Sequence, residues 1–444
     1  MALYPLLLPR EPNAVVSVRD GRAVRVKEFL SDVRALAEEL PERRHVLNLC
    51  VDRYRFSVGL AAAMQRQQVS LLPPNHTFSF LRQLQQNHAE MYTLTDSASM
   101  SSSIETLHFP DLSMTGMMED TEMPLFPATQ IVAHVFTSGS TGEPVAHHKS
   151  WGSLVTNVTS AGRALGISSL PGAVLVSTVP AQHMYGFESS LLLAMQNGLV
   201  WHNKRPFYTD DVFTQIEALP HPRVLVTSPV HLRALLSDTV AIPPVDMLIC
   251  ATAPLSDSLA IQAESRFCAP VMEIYGCTES GQVAVRRTTQ GPTWECLPGV
   301  TLQSLPQGRV VVRGGHVEAE VLLNDVIEII DSRHFVLGER HTDLVNIAGK
   351  RTSLASLNHL LNAIPGVDDG VFVMAQESPG KVARLMAFVV SKTLDLDTLL
   401  RELRDRVDPA FLPRPLHLVD SLPRNETGKL PRAEIDQMIQ RYEH

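Results

Sequence analysis

Apolar residues in the first part of the chain recur with two alternating spacings. The segment 26–40 repeats them at helical spacing, and the continuous apolar run 45–50 follows it. The same order returns in the helical pattern of 56–67 and the short apolar run of 69–75. Because helices that alternate with buried strands typically cover a parallel sheet, this pattern predicts an α/β fold.

The middle of the chain continues this alternation. A strand within 131–142 runs into a glycine-rich loop, and four further apolar strands each end in small or polar residues: 173–180, 223–230, 246–255 and 270–279. Ligands in open α/β sheets bind beyond the carboxyl ends of the strands. The Ser, Thr, Gly and Pro residues at these four ends therefore predict a binding site.

The pattern changes after residue 295. Short strands up to residue 338 predict a small β-barrel-like subdomain. Beyond residue 340 the pattern predicts a compact α+β domain, with a helix at 354–363, strands at 370–375 and 382–391, a helix at 396–407 and a basic tail. A chain of 444 residues exceeds the size at which one core keeps growing. We therefore expect a large N-terminal domain of helix-covered, mostly parallel sheets, residues 1–339, and a small C-terminal domain, residues 340–444.

The charge balance narrows the class of protein. The chain carries 38 Lys and Arg against 47 Asp and Glu, a net charge of −9. This balance argues against nucleic acid as a partner, because nucleic-acid-binding domains carry a basic stripe. The last 112 residues hold 15 basic and 15 acidic residues, so the whole acidic excess lies in the first 332. Such an asymmetry fits a two-domain chain.

Cysteine use and hydropathy indicate the compartment. The five cysteines lie far apart and no pair has C-x-x-C spacing, so the cysteines predict neither a zinc site nor a disulfide framework. Reduced thiols are typical of the cytoplasm. The apolar N-terminal run lacks a basic region and a cleavage site, and no segment reaches the roughly 18 apolar residues of a membrane span. We expect a cytoplasmic protein without a membrane span.

Two segments in the N-terminal part carry candidate phosphate chemistry. The backbone N–H groups and hydroxyls of TSGSTG (137–142) can form an anion-binding nest. In IYGCTESGQ (274–282), Tyr275 can stack on a base and Thr278 can donate to a phosphate, while Glu279 can hold Mg²⁺. Taken alone, the first segment could also be a surface turn and the second a strand end with a solvated glutamate.

A third segment lies near the C-terminus. LPRNETGKLPR (422–432) presents Lys429 on a turn that contains Gly428 and is flanked by prolines. A lysine delivered by a loop is a point charge suited to the negative charge that develops on phosphate or carboxylate. By itself, the segment could also be a solvated basic tail.

In this order the three segments resemble the motifs of the adenylate-forming superfamily of acyl-CoA synthetases, aryl-acid ligases and adenylation domains. Further matches lie between them: PAQHMYG (180–186), ATAPL (251–255), Asp325 in LLND, and ERHTDLVNIAGKR (339–351), which resembles the family's hinge and following loop. The resemblance spans roughly residue 20 to the end. It implies an ATP-dependent carboxylate ligase that forms an acyl-adenylate and passes the acyl group to a thiol.

The resemblance also implies roles for individual residues. Catalysis would rest on Lys429, Thr278, Glu279 and His183, with Glu279 also the ligand of Mg²⁺. ATP would be bound by Thr137, Ser138, Gly139, Ser140, Thr141, Gly142, Ala253, Tyr275, Gly276, Asp325 and Arg340. The acid pocket would lie among His183, Tyr185, Phe187, Thr227, Ser228, Cys250, Ala251, Thr252, Ile274 and Gly276. The C-terminal domain would be mobile, with a hinge at 340–343.

The chain departs from the family pattern in the phosphate loop. The loop usually continues Pro-Lys-Gly, whereas here Val145 follows Pro144, and which of His147, His148 or Lys149 replaces the lysine stays open. The short chain most resembles aryl-acid ligases of aryl-polyene and xanthomonadin-type pigment pathways. We therefore expect a hydroxybenzoate-like acid and an acyl carrier protein as the acceptor. Two alternatives stay open: a ligase that uses free CoA, and a nucleotide-binding regulator without catalysis.

Overall fold

The computed structural model describes residues 2–73, 78–97, 104–112, 122–138, 144–237, 240–340, 344–347, 350–374, 385–426 and 428–442. The chain divides into two compact units. The first comprises Met1–Leu302, Val312–Val321 and Asp331–His334, and the second comprises Gln303–Val311, Leu322–Ile330 and Phe335–His444. The predicted α/β fold class is confirmed. The division at 339/340 stays a prediction, and most of the predicted hinge, residues 341–343, lies outside the described residues.

The helices of the first unit bury one apolar face each or are buried on all sides. They are α1 (Val26–Glu39), α2 (Arg53–Gln65), α3 (Phe78–Asn87), α4 (Trp151–Ala164), α5 (Met184–Gly186), α6 (Leu193–Asn197), α7 (Thr209–Glu217), α8 (Pro229–Ser237) and α9 (Asp257–Phe267). A π-helical turn, Phe187–Leu192, joins α5 to α6. Asp52, Ser150 and Ser256 cap α2, α4 and α9, and each accepts a hydrogen bond from a first-turn N–H group.

The strands of the first unit form two large sheets and a short antiparallel pair. They are β1 (Leu3–Pro5), β2 (Val15–Arg19), β3 (Arg22–Arg25), β4 (His45–Asn48), β5 (Val69–Leu72), β6 (Met91–Thr95), β7 (Thr106–His108), β8 (Leu125–Pro127), β9 (Ile131–Ser138), β10 (Pro144–Ser150), β11 (Val174–Ser177), β12 (Val200–His202), β13 (Arg223–Thr227), β14 (Met247–Cys250), β15 (Val271–Cys277), β16 (Gly281–Arg287) and β17 (Thr293–Cys296).

The two large sheets are mostly parallel, as the sequence predicts. One has the order β10-β9-β5-β4-β6-β7, and its strands are parallel except for the β9–β10 hairpin. The other includes the order β17-β16-β15-β14-β13-β11-β12-β2-β3, with parallel strands from β15 to β2. Its buried core includes Leu225, Leu248, Val271 and Phe267. The parallel register lines up the carboxyl ends of β13 and β14 with Glu273 of β15, and β15 continues beyond them to Cys277.

The division between the units falls within each of three short strands: β18 (Val300–Ser304), β19 (Val310–Gly314) and β20 (Val317–Leu323). The remaining strands are β21 (Asp325–Ile329), β22 (His334–Arg340), β23 (Leu344–Ile347), β24 (Lys350–Ser353), β25 (Asp369–Met374), β26 (Leu385–Val390) and β27 (Leu416–Leu418). The helices that follow are α10 (Leu354–Asn362), α11 (Leu396–Arg406) and α12 (Arg432–Tyr442).

The C-terminal segment is organised around the sheet β25-β26-β27. Leu361 of α10 and Leu403 of α11 share one buried core with Phe372 of β25. Ile439 of α12 lies in a second core with Phe388 of β26. The sequence analysis predicted only a basic tail here, and this was wrong for 432–442, because that stretch has an apolar stripe that packs on the sheet. Among the described helices, none is long and apolar enough to cross a membrane.

Candidate active site

The ends of β13 and β14 and the neighbouring part of β15 form the base of the candidate site. Thr227, Cys250 and Glu273 lie side by side in the parallel register, and all three are buried. The chain leaves β14 through a tight turn in which Thr252 has a φ of 89°. A β-branched residue rarely adopts this conformation, so surrounding contacts must hold the turn in place.

Glu273 supplies those contacts. Its Oε1 accepts a hydrogen bond from the backbone N–H of Leu255 at 3.1 Å. Its Oε2 accepts from Arg286 Nε at 2.7 Å and from Thr288 Oγ1 at 2.9 Å. Burial raises the pKa of Glu273, and the neighbouring Arg286 guanidinium opposes that rise. Glu273 thereby anchors the turn that carries Ala253, a residue the sequence analysis placed beside adenine.

Tyr275 and Gly276 follow on the same strand. The half-buried Tyr275 ring lies 5.7 Å from the ring of Trp294, measured between centroids. A bulge separates Tyr275 from Gly276 in the pairing with β16. A Cβ atom at Gly276 would lie 2.2 Å from the carbonyl oxygen of Gly281, so only glycine fits this close backbone approach.

Lys149 holds the turn that contains Thr278 and Glu279. It lies on β10 and is 6% exposed, and its Nζ donates to the Glu279 carbonyl oxygen at 3.0 Å. On the next residue of the turn, the Ser280 carbonyl accepts from His316 Nε2 at 2.9 Å. The turn is therefore fixed by its backbone carbonyls, while the Glu279 carboxylate stays 38% exposed and available to a ligand.

A buried polar cluster lies behind this turn. Asn157 Nδ2 donates to Glu188 Oε1 at 2.6 Å, and both residues are buried. Burial raises the pKa of Glu188 to about 8 and lowers the pKa of Lys149. Gly281 closes the cluster with a φ of 74°, and a Cβ atom there would lie 2.3 Å from Asn157 Nδ2. The side chains and the glycine together leave the turn little freedom to move.

The hairpin of β9 and β10 flanks the predicted phosphate loop in sequence, and its strand β10 contacts the same turn. Thr137 pairs with Val145 and Ser138 with Pro144 in the antiparallel register of the hairpin. The side chains of Thr137 and Ser138, and Gly139, Ser140, Thr141 and Gly142 as a whole, lie outside the described residues. Among the described residues, His147 connects the hairpin to the turn, with Nε2 3.9 Å from Glu279 Oε1.

The residues of β10 divide between two faces of the strand. His147 and Lys149 approach Glu279 on one face. His148 lies between them in sequence and stacks on His134 of β9, at 4.2 Å between ring centroids. Because successive side chains of a strand point to opposite faces, His148 is directed away from Glu279. Of the three residues left open by the sequence, Lys149 holds the turn backbone and His147 faces its carboxylate.

The residues predicted for the acid pocket have different surroundings. The Tyr185 hydroxyl lies 2.9 Å from the Thr227 carbonyl and 3.0 Å from the Ile249 carbonyl, so it joins the ends of β13 and β14. The Phe187 ring is fully buried and packs edge-on against Phe56, at 6.5 Å between centroids. Five members are buried at the strand ends: Thr227, Ser228, Cys250, Ala251 and Ile274. His183, directly before α5, is half-buried.

His231 is a polar residue of this region that the sequence analysis missed. Its Nδ1 lies 2.9 Å from Ser228 Oγ and 3.3 Å from Thr178 Oγ1, and burial lowers its pKa to about 4. The ring is therefore neutral at pH 7. Ser228 three residues before it, at the start of a helix, was the available sequence signal.

Two predicted nucleotide-binding residues pair in the second unit. Asp325 of β21 lies directly opposite Arg340 of β22 in the antiparallel register. Asp325 is half-buried, and the Arg340 side chain lies outside the described residues. The register places the two Cα atoms as direct cross-strand partners.

Lys429 lies on a closed loop of the second unit. Asn425 Oδ1 accepts from the Lys429 backbone N–H at 2.9 Å, and the Asn425 N–H donates to the Lys429 carbonyl at 2.8 Å. Arg424 donates to the Gly428 carbonyl at 3.0 Å and to Asp369 Oδ2 at 2.6 Å. Gly428 has a φ of 78°, which favours glycine. The loop backbone is anchored while the Lys429 side chain is exposed.

Residues 22–322 match the family model described as AMP-binding enzyme. The 2-succinylbenzoate–CoA ligase of Staphylococcus epidermidis is 24% identical over 357 residues, covering 74% of each chain. The 4-coumarate–CoA ligase of Rhodobacter capsulatus is 27% identical over 297 residues, covering 66% of this chain and 73% of that one. The structure of the Bacillus subtilis o-succinylbenzoate CoA synthetase with its acyl-adenylate intermediate is 17% identical, covers 98% of both chains and has a TM-score of 0.82. That structural likeness shows a shared fold.

Proposed function

We propose, from the premise that the chain belongs to the AMP-binding enzyme family, that it activates an aromatic acid with ATP and transfers the acyl group to a pantetheine thiol. The chain is an adenylate-forming acid–thiol ligase. The observation that carries the proposal is the connection between the glycine-loop hairpin and the Thr278–Glu279 turn through Lys149. This contact joins β10, the strand that follows the predicted phosphate loop, to the turn that carries Thr278 and Glu279. The proposed reaction needs both segments close to one bound ATP.

The first half-reaction forms an acyl-adenylate. A carboxylate oxygen of the acid bonds to the α-phosphorus of ATP, the bond to the bridging oxygen breaks, and pyrophosphate leaves with its electron pair. Repulsion between the anions forms much of the barrier, so positioned cations and donors lower it. We assign Thr278 to the α-phosphate and Lys429 to the charge shared by carboxylate and phosphate. In the second half-reaction the thiol sulfur attacks the carbonyl carbon, AMP leaves and the thiol proton is lost.

Mg²⁺ fits the Glu279 position. Mg²⁺ prefers one or two carboxylates together with substrate phosphates and water. Glu279 offers an exposed carboxylate at the end of a strand, on a turn whose backbone is fixed. Glu279 would hold the ion, which would supply positive charge next to the phosphates of ATP, and Lys149 fixes the backbone that carries this carboxylate.

We assign the substrate to the hydroxybenzoate-like acids. The predicted pocket combines small residues such as Ala251 and Gly276 with the half-buried Tyr185, a composition suited to a flat ring. Among the relatives, several bear names of ligases for aromatic acids, including 2-succinylbenzoate and 4-coumarate. These names support an aromatic acid here without specifying its substituents.

Two acceptors are proposed for the thiol step. The resemblance of its motifs to those of pigment-pathway ligases favours the phosphopantetheine of an acyl carrier protein. Free CoA is the second candidate, because the relatives that match the chain are CoA ligases. Both acceptors present the same thiol, so they differ only in what surrounds the pantetheine arm.

Acid-dependent exchange between ATP and labelled pyrophosphate tests the first half-reaction across a panel of aryl and aliphatic acids. We expect exchange with hydroxybenzoates, and a loss of at least about a hundredfold in Lys429→Ala, as for other groups that stabilise transition-state charge. Lys392→Ala is the control, since Lys392 is exposed on the same unit. Exchange with none of the acids would contradict the activation step, and undiminished exchange in Lys429→Ala would contradict the role of the lysine.

A further inference from the structure

Four histidines gather on the face of the six-stranded sheet opposite to Glu279. His45 begins β4, His134 lies on β9, His148 on β10, and His88 directly follows α3. His148 and His134 are direct partners in the hairpin register. The rings of His45, His88 and His134 approach one another at 4.6 to 5.9 Å between centroids. We call these four residues the histidine cluster.

The register explains why residues far apart in sequence meet. Leu47 pairs with Leu71, and Leu71 pairs with His134, across three neighbouring strands. His45 lies two residues before Leu47 and so projects from the same face. The helix α3 covers this face, with Leu84 in its core, and its C-terminal end delivers His88. The histidine cluster therefore lies at one edge of the apolar layer between α3 and the sheet.

Ring nitrogens of three members of the histidine cluster lie close to one another. One nitrogen from each of His45, His88 and His134 lies within 4.8 Å of the other two. Ligand nitrogens of a tetrahedral zinc ion lie about 3.4 Å apart, since each Zn–N bond is about 2.1 Å long. Side-chain rotations that shorten these separations by about an ångström or more would complete the geometry. The three residues are half-buried and His148 is exposed, so an ion can enter from solvent.

Two ring nitrogens of the histidine cluster are buried without a hydrogen-bond partner among the described residues. These are Nδ1 of His45 and Nδ1 of His134. A buried polar atom without a partner is costly unless water or an ion satisfies it.

We propose that His45, His88 and His134 form a binding site for a divalent transition metal of the Zn²⁺ class, with His148 or water as the fourth ligand. Imidazole nitrogen suits zinc, copper and nickel, whereas Mg²⁺ prefers oxygen. The site is distinct from the proposed Mg²⁺ position, because it lies on the opposite face of β10. A bound ion would cross-link β4, β9 and the end of α3, and so brace the base of the glycine-loop hairpin.

Binding of Co²⁺ and Zn²⁺ to the tag-free full-length protein tests this proposal. Co²⁺ in a tetrahedral nitrogen site gives intense visible absorption, which Zn²⁺ quenches when it displaces the cobalt. We expect one ion per chain, and a loss of affinity of at least about tenfold in His134→Gln and His88→Gln. His108→Gln is the matched control, since His108 is an exposed histidine at the far edge of the same sheet.

Thermal unfolding provides a second measurement that does not depend on activity. An ion that binds only the folded protein raises the melting temperature, by an amount that grows with the logarithm of its concentration divided by Kd. Zn²⁺ should raise the midpoint of the wild type and of His108→Gln, but not that of His134→Gln or His88→Gln. Circular dichroism confirms folding of each variant. The proposal is overturned if the wild type binds no ion at micromolar concentrations, or if His134→Gln and His88→Gln bind as the wild type does.

Discussion

The structure shows a role for Lys149 that the sequence alone left open. The family pattern has a lysine directly after the glycine loop, and Val145 occupies that position here. Lys149 is buried four residues later and donates to the backbone of Glu279 rather than to a solvent-facing ligand. Its effect on the reaction is therefore indirect: it positions the carboxylate that we assign to Mg²⁺.

Replacing Lys149 by Met should impair the use of MgATP without unfolding the protein. The substitution keeps the length of the side chain but removes a charged hydrogen bond, worth about 1.5–3 kcal/mol. We expect the KM for MgATP in pyrophosphate exchange to rise by about tenfold or more, with a smaller change in the KM for the acid. Lys392→Met is the control. A KM for MgATP equal to that of the wild type would show that the turn holds its place without Lys149.

The buried carboxyl group of Glu188 should make the free energy of unfolding depend on pH. Burial raises its pKa from 4.5 to about 8 in the folded protein. Between these pH values the folded state binds more protons than the unfolded state, so this group lowers stability as pH rises, by at most about 1.4 kcal/mol per unit.

Glu188→Gln removes that ionisation. Its melting temperature relative to the wild type should therefore increase steadily from pH 5 to pH 8. Glu38→Gln serves as the control, because Glu38 is exposed on the surface of α1. Parallel melting curves of wild type and Glu188→Gln across this range would contradict the raised pKa.

At the level of elements, the sequence predicts strands and helices best where their apolar period is long. The helical spacing of 26–40 matches α1 (Val26–Glu39), and the apolar run at 223–230 contains β13 (Arg223–Thr227). Strand β10 was not predicted, because its sequence PVAHHKS has few apolar residues. The strand forms through its pairing with β9. The helix α12 was not predicted for a similar reason: its apolar stripe is short and is interrupted by charged residues.

The loop that carries Lys429 is predicted to act as a preformed element. The side chain of Asn425 accepts from the Lys429 N–H, and Asn425→Ala removes this bond. We expect the rate of pyrophosphate exchange to fall by about three- to tenfold, the effect of one hydrogen bond of about 1 kcal/mol, with the KM for the acid unchanged. Asn425→Asp keeps an acceptor oxygen and should retain most of the rate. Equal rates in both variants would exclude this role of Asn425.

At the scale of the whole molecule, local motifs predicted the reaction class, whereas long-range contacts determined how the site is built. The candidate residues Thr278, Glu279 and Lys429 were found because each lies in a short segment with a recognisable spacing. Glu273 and His316 were missed, since a buried carboxylate or imidazole looks like any other until its distant partners are known. The histidine cluster was missed too, because its four histidines come from separate elements and have no metal-ligand spacing in the sequence.

The distribution of charge over the chain leads to a prediction about the acceptor. The acidic excess of nine lies wholly in the first 332 residues, and the remaining 112 are neutral. CoA carries a 3′-phosphate that a dedicated site would hold with Arg or Lys, and the sequence has no decisive cluster of this kind. We therefore expect kcat/KM for dephospho-CoA, which lacks this phosphate, to lie within about threefold of the value for CoA. A preference for CoA of about tenfold or more would instead favour free CoA as the acceptor.

The alternation along β10 has a consequence for how this chain can vary. Its odd-numbered residues His147 and Lys149 serve the turn at Glu279, and its even-numbered residue His148 serves the opposite layer. Insertion or deletion of one residue within the strand would exchange the two sets and disable both faces at once. We therefore expect insertions and deletions to be tolerated only outside Pro144–Ser150. A library of hairpin variants can substitute residues of this strand but must keep their number constant.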